Sequence, residues 1–442
     1  MSESLVAKAG GTSNASAINV LQSMEWAEQA DIFVVSAPGE LENSGDKVDK
    51  VTDLLLKARK QYVDQGIVSS EIAEQITGRY AAIVEGLGEL SLPVGWLDDI
   101  KPRFEQSVRY SDDAASMLGE RLQAELYQAK GFTLLDPSRS QQDLGDDPEA
   151  WRGWLSSMFT KGNRYVLPGN TTKLGGQLVT FDRGGSDISG GLAAYGIEAD
   201  KNLNLTDGSA MSADPRLIGS PRLQHIGHML YEEGRELGRN GTGLLHPAAM
   251  VPLMIGNIPT EIRSTFDPTQ LPTLLDNDYE RASKRNGQVI ALSLMRDVVI
   301  HQIHEPGMAE ATGRLAAFEM SLAEQGIPII DSQGDGVDGQ KYFVDAKHNH
   351  AARMTLEDVI KHGKIDTKDG VDLITMVGFN LHLKLIDHMV DLIFNSSIDA
   401  KHWQTQRHDL SHGKHSLRVG VDQGSSSRIF DRLHAHFLEL QP

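Results

Sequence analysis

The chain has 442 residues, a formal net charge of −19 and no cysteine. That length exceeds a single hydrophobic core and suggests about three domains, while the acidic balance argues against a nucleic-acid or anionic-membrane partner. Without cysteine there are no disulfides or thiolate metal sites, and without a long apolar run or a basic, apolar leader the chain is expected to be soluble and cytoplasmic.

The first element is the short apolar strand Leu5-Val6-Ala7, which runs into Lys8-Ala9-Gly10-Gly11-Thr12-Ser13. Glycines at the end of a strand let the backbone approach a ligand. The Gly10 and Gly11 amides can therefore cradle phosphate oxygens, with Lys8 adding a point charge; the same residues also suit an ordinary turn. After a helical stretch to about residue 29, Asp31-Ile32-Phe33-Val34-Val35 reads as a continuous apolar run, the pattern of a strand buried on both faces, and it ends at Ser36-Ala37-Pro38-Gly39. Residues 46–59 repeat Val48, Val51, Leu54, Leu55 and Ala58 at helical spacing, with Lys50, Thr52 and Asp53 around the first turns.

A further amphipathic helix spans about 113–130, its stripe made by Leu118, Leu122, Leu126 and Ala129. Glu120 lies off that stripe among Met117, Ala124 and Tyr127; a glutamate on a helix is usually a solvated surface residue, but these surroundings are less polar than a water-facing one should have and also suit a cleft. Residues 136–163 are polar, with Pro137 and Pro148, and read as connecting structure. Tyr165-Val166-Leu167 is a strand ending at Pro168-Gly169-Asn170.

The densest local signal is Phe181-Asp182-Arg183-Gly184-Gly185-Ser186-Asp187. Small residues after it, among them Gly190, Gly191, Ala193 and Ala194, allow a helix to lie close to a sheet. Ser186 is expected to cap its first turn, leaving amides and the positive helix end for an anion, with Arg183 offering a fork that fits a carboxylate. Asn202-Leu203-Asn204-Leu205 is a strand ending at Thr206-Asp207, and a loop leads to Asp214-Pro215-Arg216. Strands alternating with helices predict a mostly parallel sheet covered on both faces. In such sheets ligands sit beyond the carboxyl ends of the strands, which puts Lys8, Ser36, Gly169 and Thr206 on one edge within reach of Thr52, Glu120 and Arg183.

Beyond about residue 275 the composition changes, and this part holds 13 of the 16 histidines. Strands at 298–303, 328–331 and 342–345 with helices at 309–325 and 355–362 are followed by the same order again: strands at 373–377, 400–405 and 416–422, helices at 381–395 and 425–440. Two copies of strand, helix, strand, strand, helix predict paired ferredoxin-like modules. His348, His350, His412 and His415 sit in polar turns with no carboxylate pattern and are read as solvated, not as a metal site.

With these residues in hand the chain resembles the aspartokinases, amino-acid-kinase-fold enzymes that phosphorylate L-aspartate. The resemblance rests on KAGGTS at Lys8–Ser13, VVSAPG at Val34–Gly39, KVTDLL at Lys50–Leu55, GERL at Gly119–Leu122, FDRGGSD at Phe181–Asp187, Thr206 with Asp207, ADPR at Ala213–Arg216 and LLHP at Leu244–Pro247. It implies an α/β amino acid kinase domain at 1–276 and two ACT-type regulatory modules at 285–365 and 366–442. It also implies ATP-dependent formation of 4-phospho-L-aspartate with Mg²⁺, the first step toward lysine, threonine and methionine. An amino-acid effector at the ACT modules and a homodimer or higher homo-oligomer are further expectations. Carried over by motif, Arg183 meets the α-carboxylate and Glu120 the α-amino group, with Ser36, Thr52, Gly184, Gly185 and Ser186 as further substrate contacts. Lys8, Gly10 and Gly11 cradle phosphate, Thr206, Asp207 and Arg216 meet the nucleotide, and Asp187 is the active-site acid that orients Lys8 or holds magnesium through water. Asn170 and Gly243 stand where many members carry an aromatic residue and a lysine. The alternatives are a kinase for a related amino-acid carboxylate and a non-catalytic amino-acid sensor.

Overall fold

A computed structural model describes residues 3–43, 46–181, 184–239, 244–381, 410–412 and 415–439. The chain divides into two compact units, one made of 1–210, 225–235 and 243–279 and the other of 211–224, 236–242 and 280–442.

The first unit is built on an eight-stranded sheet. From one edge its order is His228–Leu230, Thr273–Asp276, Thr260–Ser264, Lys201–Thr206, Leu5–Ala9, Ile32–Val35, Tyr165–Pro168 and Thr133–Leu134. The six strands from Thr260–Ser264 onward run parallel; Thr273–Asp276 turns antiparallel to them. All four residues of Ile32–Val35 are buried, as the unbroken apolar run requires of a strand covered on both faces. Alternate residues of the central strands point to opposite faces. Ala7, Ala9, Phe33 and Val35 pack with the helices Ala17–Ala27, Val51–Gln65, Ser70–Leu87, Trp96–Tyr110 and Asp112–Ala129. On the other face the helix Gly185–Gly196 lies so near the strands that a Cβ on Gly190 would stand 3.3 Å from the Cβ of Lys8. Its small residues are what permit that approach.

Several expectations need correction. Residues 46–59 are not one helix: Asp46–Val48 pairs with Leu41–Asn43 as a hairpin, and the helix begins at Val51. The polar segment 136–163 is not merely connecting, since Asp147 caps a helix at Pro148–Met158 that buries Trp151, Trp154 and Leu155. Its proline sits at the first turn, where the missing N–H costs nothing. The helices Ser70–Leu87 and Trp96–Tyr110 carry no motif, although Ile72, Ile76, Tyr80, Ile83 and Leu87 recur at helical spacing and are buried. Among the described residues no helix is long and apolar enough to cross a membrane.

The second unit holds a six-stranded antiparallel sheet in the order Asp331–Gly334, Gly339–Asp345, Ala291–His304, Lys364–Val377, Ser416–Asp422 and Leu410–His412. The two 14-residue strands Ala291–His304 and Lys364–Val377 pair at its centre, one from each predicted repeat. Helices Arg314–Glu324 and Asn349–Val359 cover one end with Val299, Ile303, Phe318, Leu322, Tyr342 and Leu356. Helix Gln423–His434 covers the other end with Ile374, Met376, Leu417, Ile429 and Phe430. The helix expected from 309 begins at 314, after Gly313 at φ 80°. The helix at 381–395 and strand at 400–405 expected in the second repeat lie outside the described residues.

A buried ion pair fastens the first of these ends. Arg314 Nε and Nη2 donate to the two oxygens of Glu305 at 2.7 and 2.5 Å, and Nη2 also reaches the carbonyl of Val359. The Arg314 guanidinium holds the Glu305 carboxyl below its ordinary range. Arg314→Met would leave Glu305 buried with only the Lys361 N–H, at 3.4 Å, to meet its charge, a change expected to cost about 3 kcal/mol. Thermal unfolding of the full chain should show this as a clear loss of Tm, and the double change Glu305→Leu with Arg314→Met should recover most of it.

Candidate functional site

The carboxyl ends of the four neighbouring parallel strands converge as topology requires: Ala9, Val35, Pro168 and Leu205–Thr206 stand side by side. Beyond them opens a cleft of about 780 Å³ lined by Lys8, Gly11, Ser36, Thr52, Glu120, Gly184, Gly185, Ser186 and Asp187 among others. Sequence reasoning drew these residues from five separate stretches, and the fold brings them to one cavity.

On one side of it lies the turn after the first strand. Gly11 and Gly39 touch backbone to backbone: the Gly39 N–H donates to the Gly11 carbonyl at 2.8 Å, and a Cβ on Gly39 would stand 2.5 Å from the Gly11 carbonyl carbon. Only glycine fits such an approach. The expected pair of cradling amides is corrected here. The Gly10 N–H donates to the Leu205 carbonyl at 3.2 Å and extends the sheet, so the amides left at this edge are those of Gly11 and Thr12, at the start of the single helical turn Thr12–Asn14.

Across the cleft the helix Gly185–Gly196 presents its N-terminus. Its cap is Gly184, in the left-handed region at φ 63°, with no side-chain capping bond; Ser186 is not the cap, contrary to expectation, and lines the cleft one position inside the first turn. A Cβ at Gly184 would collide with His246, and one at Gly185 with Asn170, so neither glycine can be replaced without moving the helix start. Asp187 in that turn accepts from two sides. Lys8 Nζ lies 2.6 Å from Oδ1 and the His246 N–H donates to Oδ2 at 3.1 Å. The carboxylate thus aims the ammonium of Lys8 along the cleft edge.

The opposite wall is Glu120. It is 4% exposed, and its Oε2 has no hydrogen-bond partner among the described residues. Burial pushes its carboxyl up to about 8, partly offset by the backbone N–H groups of Glu120 and Ala37. A carboxyl so placed is mostly protonated at neutral pH and would gain from an incoming cation. Ser36 and Thr52 line the same wall, and Thr52 stands in the first turn of Val51–Gln65. Lys50, Ser116 and Thr180 line the cleft too without having been foreseen as contacts, and so does Asn170, whose replacement of an aromatic is expected to re-shape the pocket. Asn170 sits at φ 56°, with Nδ2 donating to Ser116 Oγ at 3.4 Å. Its place directly after Pro168-Gly169 was the available signal.

Arg183 and Gly243 lie outside the described residues, although Phe181 and Gly184 on either side of Arg183 line the cleft. Thr206 ends the neighbouring strand and Asp207 follows it, but neither lines this cavity; the Thr206 hydroxyl donates to Asp207 Oδ1 at 3.1 Å. Arg216 belongs to the second unit, where its guanidinium is held by both oxygens of Asp214 at 2.6 to 3.1 Å. No group of three or more His, Asp or Glu residues able to hold a metal ion occurs among the described residues.

The sequence profile of the amino acid kinase family matches residues 5–264. Aspartokinase 3 of Bacillus subtilis (strain 168) is 29% identical over 427 residues, covering 88% of this chain and 85% of that protein. Among solved structures, the aspartate kinase of Clostridium acetobutylicum superposes with a TM-score of 0.77 at 22% identity, over 98% of this chain and 100% of that one. Aspartokinase III of E. coli, in complex with aspartate and ADP, gives 0.78 at 19% identity over 98% and 99%. Likenesses at these identities speak for the fold.

Proposed function

The chain belongs to the amino acid kinase family, and on that footing we propose that it is an aspartate kinase, which transfers the γ-phosphoryl group of ATP to the side-chain carboxylate of L-aspartate. The observation that carries this reading is the buried Glu120 Oε2, without a partner among the described residues, in the cleft that also holds the Lys8–Asp187 pair. An orphan carboxylate oxygen suits the α-ammonium of a free amino acid, and a lysine with adjacent amides suits phosphate. The extended likeness to B. subtilis aspartokinase 3 supports aspartate as that amino acid.

The chemistry asks little beyond alignment. At pH 7 the attacking carboxylate of aspartate is already ionised, so no general base is needed. Its oxygen bonds to the γ-phosphorus as the bond to the β–γ bridging oxygen breaks, and ADP leaves. Glu120 fixes the α-ammonium, with Ser36, Thr52, Gly184, Gly185, Ser186 and Arg183 around the remainder of the substrate. Lys8 and the Gly11 amide offset the charge on the transferring group, and Thr206 and Asp207 serve the nucleotide. Magnesium would supply charge neutralisation on the nucleotide phosphates. Asp187, whose carboxylate has lone pairs beyond those used by Lys8 and the His246 N–H, would hold the ion through water. The two C-terminal modules we read as ACT domains at 285–365 and 366–442, which take an amino-acid effector and join subunits, and the product as feeding lysine, threonine and methionine synthesis in the cytoplasm.

Trapping the acyl phosphate with hydroxylamine tests the reading. Aspartate with Mg-ATP should yield the hydroxamate at least tenfold faster than glutamate; faster turnover of glutamate, or none of either with nucleotide bound, would overturn it. Adding lysine, threonine or methionine to the same assay tests the effector reading.

A further inference from the structure

We infer that Asn14, which no motif singles out, is a positioning residue that turns the Gly11 amide toward the nucleotide phosphates; the inference rests on the reading of Lys8 to Gly11 as the phosphate side of the site. Asn14 is fully buried beneath that turn. Its Nδ2 donates to two successive carbonyls, Ala9 at 3.3 Å and Gly10 at 3.1 Å. Its Oδ1 accepts from Gln123 Nε2 at 3.2 Å and from the Tyr127 hydroxyl at 3.3 Å. Both amide hydrogens and both oxygen lone pairs are thereby used.

A planar trans peptide points its carbonyl and its N–H in opposite directions. Holding the Gly10 carbonyl into the core therefore turns the N–H of Gly11 outward, to the cleft that Gly11 lines. The preceding peptide obeys the same rule, with the Ala9 carbonyl on Asn14 and the Gly10 N–H on Leu205. Flanked by glycine on both sides, the Gly10–Gly11 peptide has little steric resistance to rotation, so its plane must be held from outside. Asn14 supplies that hold and anchors it to Gln123 and Tyr127. Both stand on the helix Asp112–Ala129 that also carries Glu120, so the phosphate turn and the acceptor wall are fixed to one rigid element.

Calorimetry on the full-length protein separates this role from plain core packing, using Mg-ATP and AMP as probes without any acceptor. Asn14→Leu should weaken Mg-ATP about tenfold, the worth of one hydrogen bond to a charged group, and leave AMP within about twofold. Asn14→Asp, which keeps the two accepted bonds and loses the two donated ones, is measured beside it should the leucine variant fold poorly. In the unaltered protein, labelled with ¹⁵N-glycine, the Gly11 amide resonance should shift with Mg-ATP and not with AMP, while Gly10 stays put. Equal loss of ATP and AMP in a folded variant, no loss of either, or an unmoved Gly11 resonance would each overturn the inference. Because these readouts need no phosphoryl acceptor, they stand or fall separately from the aspartate assay.

Discussion

Replacing Lys8 by alanine lowers kcat by about 10²–10³-fold, the effect expected when one preorganised donor to developing charge is removed from a desolvated site. The loss should fall on kcat and on the KM for ATP, whereas the KM for aspartate moves little, because the acceptor is held from the Glu120 side of the cleft. Asp187→Asn should cost less, on the order of tenfold: the amide oxygen can still take the His246 N–H, and what is lost is the charge that aims the Lys8 ammonium at 2.6 Å. Arginine at position 8 should not restore activity, since its planar fork cannot occupy the point position that the ammonium takes against Asp187 and Gly10. Steady-state kinetics by hydroxamate formation measures all three. A Lys8→Ala protein within threefold of the parent would remove the phosphate cradle from the mechanism.

Glu120→Gln raises the KM for aspartate by about 10²-fold with a smaller change in kcat, because a buried charge partner to the α-ammonium is lost equally from ground and transition states. The pH dependence distinguishes this from a steric effect. In the free protein the Glu120 carboxyl stands at about 8, so at pH 7 it is mostly protonated and must lose that proton to meet an ammonium. Binding of aspartate at pH 7 should therefore release close to one proton, visible in calorimetry as a dependence on buffer ionisation heat. Affinity should strengthen from pH 6 to pH 8 and then level. The glutamine variant should release none.

Stability follows the same linkage with the opposite consequence. A carboxyl raised from 4.5 to about 8 by folding favours its protonated form in the folded state. Its contribution is fully present below pH 4.5 and is lost as pH rises through about 8. Above pH 8 the ligand-free Glu120→Gln protein should unfold at a higher temperature than the parent, and aspartate should close that gap by stabilising only the parent. A variant with unchanged KM and undiminished proton release would assign the ammonium to another group.

The alternation of strands and helices was legible in the chain because the signals are local. Ile32-Phe33-Val34-Val35 has no polar residue to place on a wet face, glycines close the strands at 10–11, 39 and 169, and these together dictate a parallel sheet with its ligand edge at the carboxyl ends. Residue chemistry also carried the cation at 8 and the carboxylates at 120 and 187. The helices Ser70–Leu87, Trp96–Tyr110 and Pro148–Met158 carry apolar repeats but no turn or phosphate motif; the first two bury each other and one face of the sheet, and the third packs against Gly185–Gly196.

Tertiary structure alone decided the rest, since each remaining property depends on a neighbour far along the chain. Which glycine amide is spent depends on Leu205, 195 positions away, and the cap of the 185–196 helix passes to Gly184 because its φ of 63° already turns the chain. The same holds for the Lys8–Asp187 pair and for Asn14 on Gln123 and Tyr127. Glu120 states the reason most plainly: the sequence determined that a carboxylate stands on this helix, but its proton affinity is set by how completely water is excluded around it, and only the packed fold determines that.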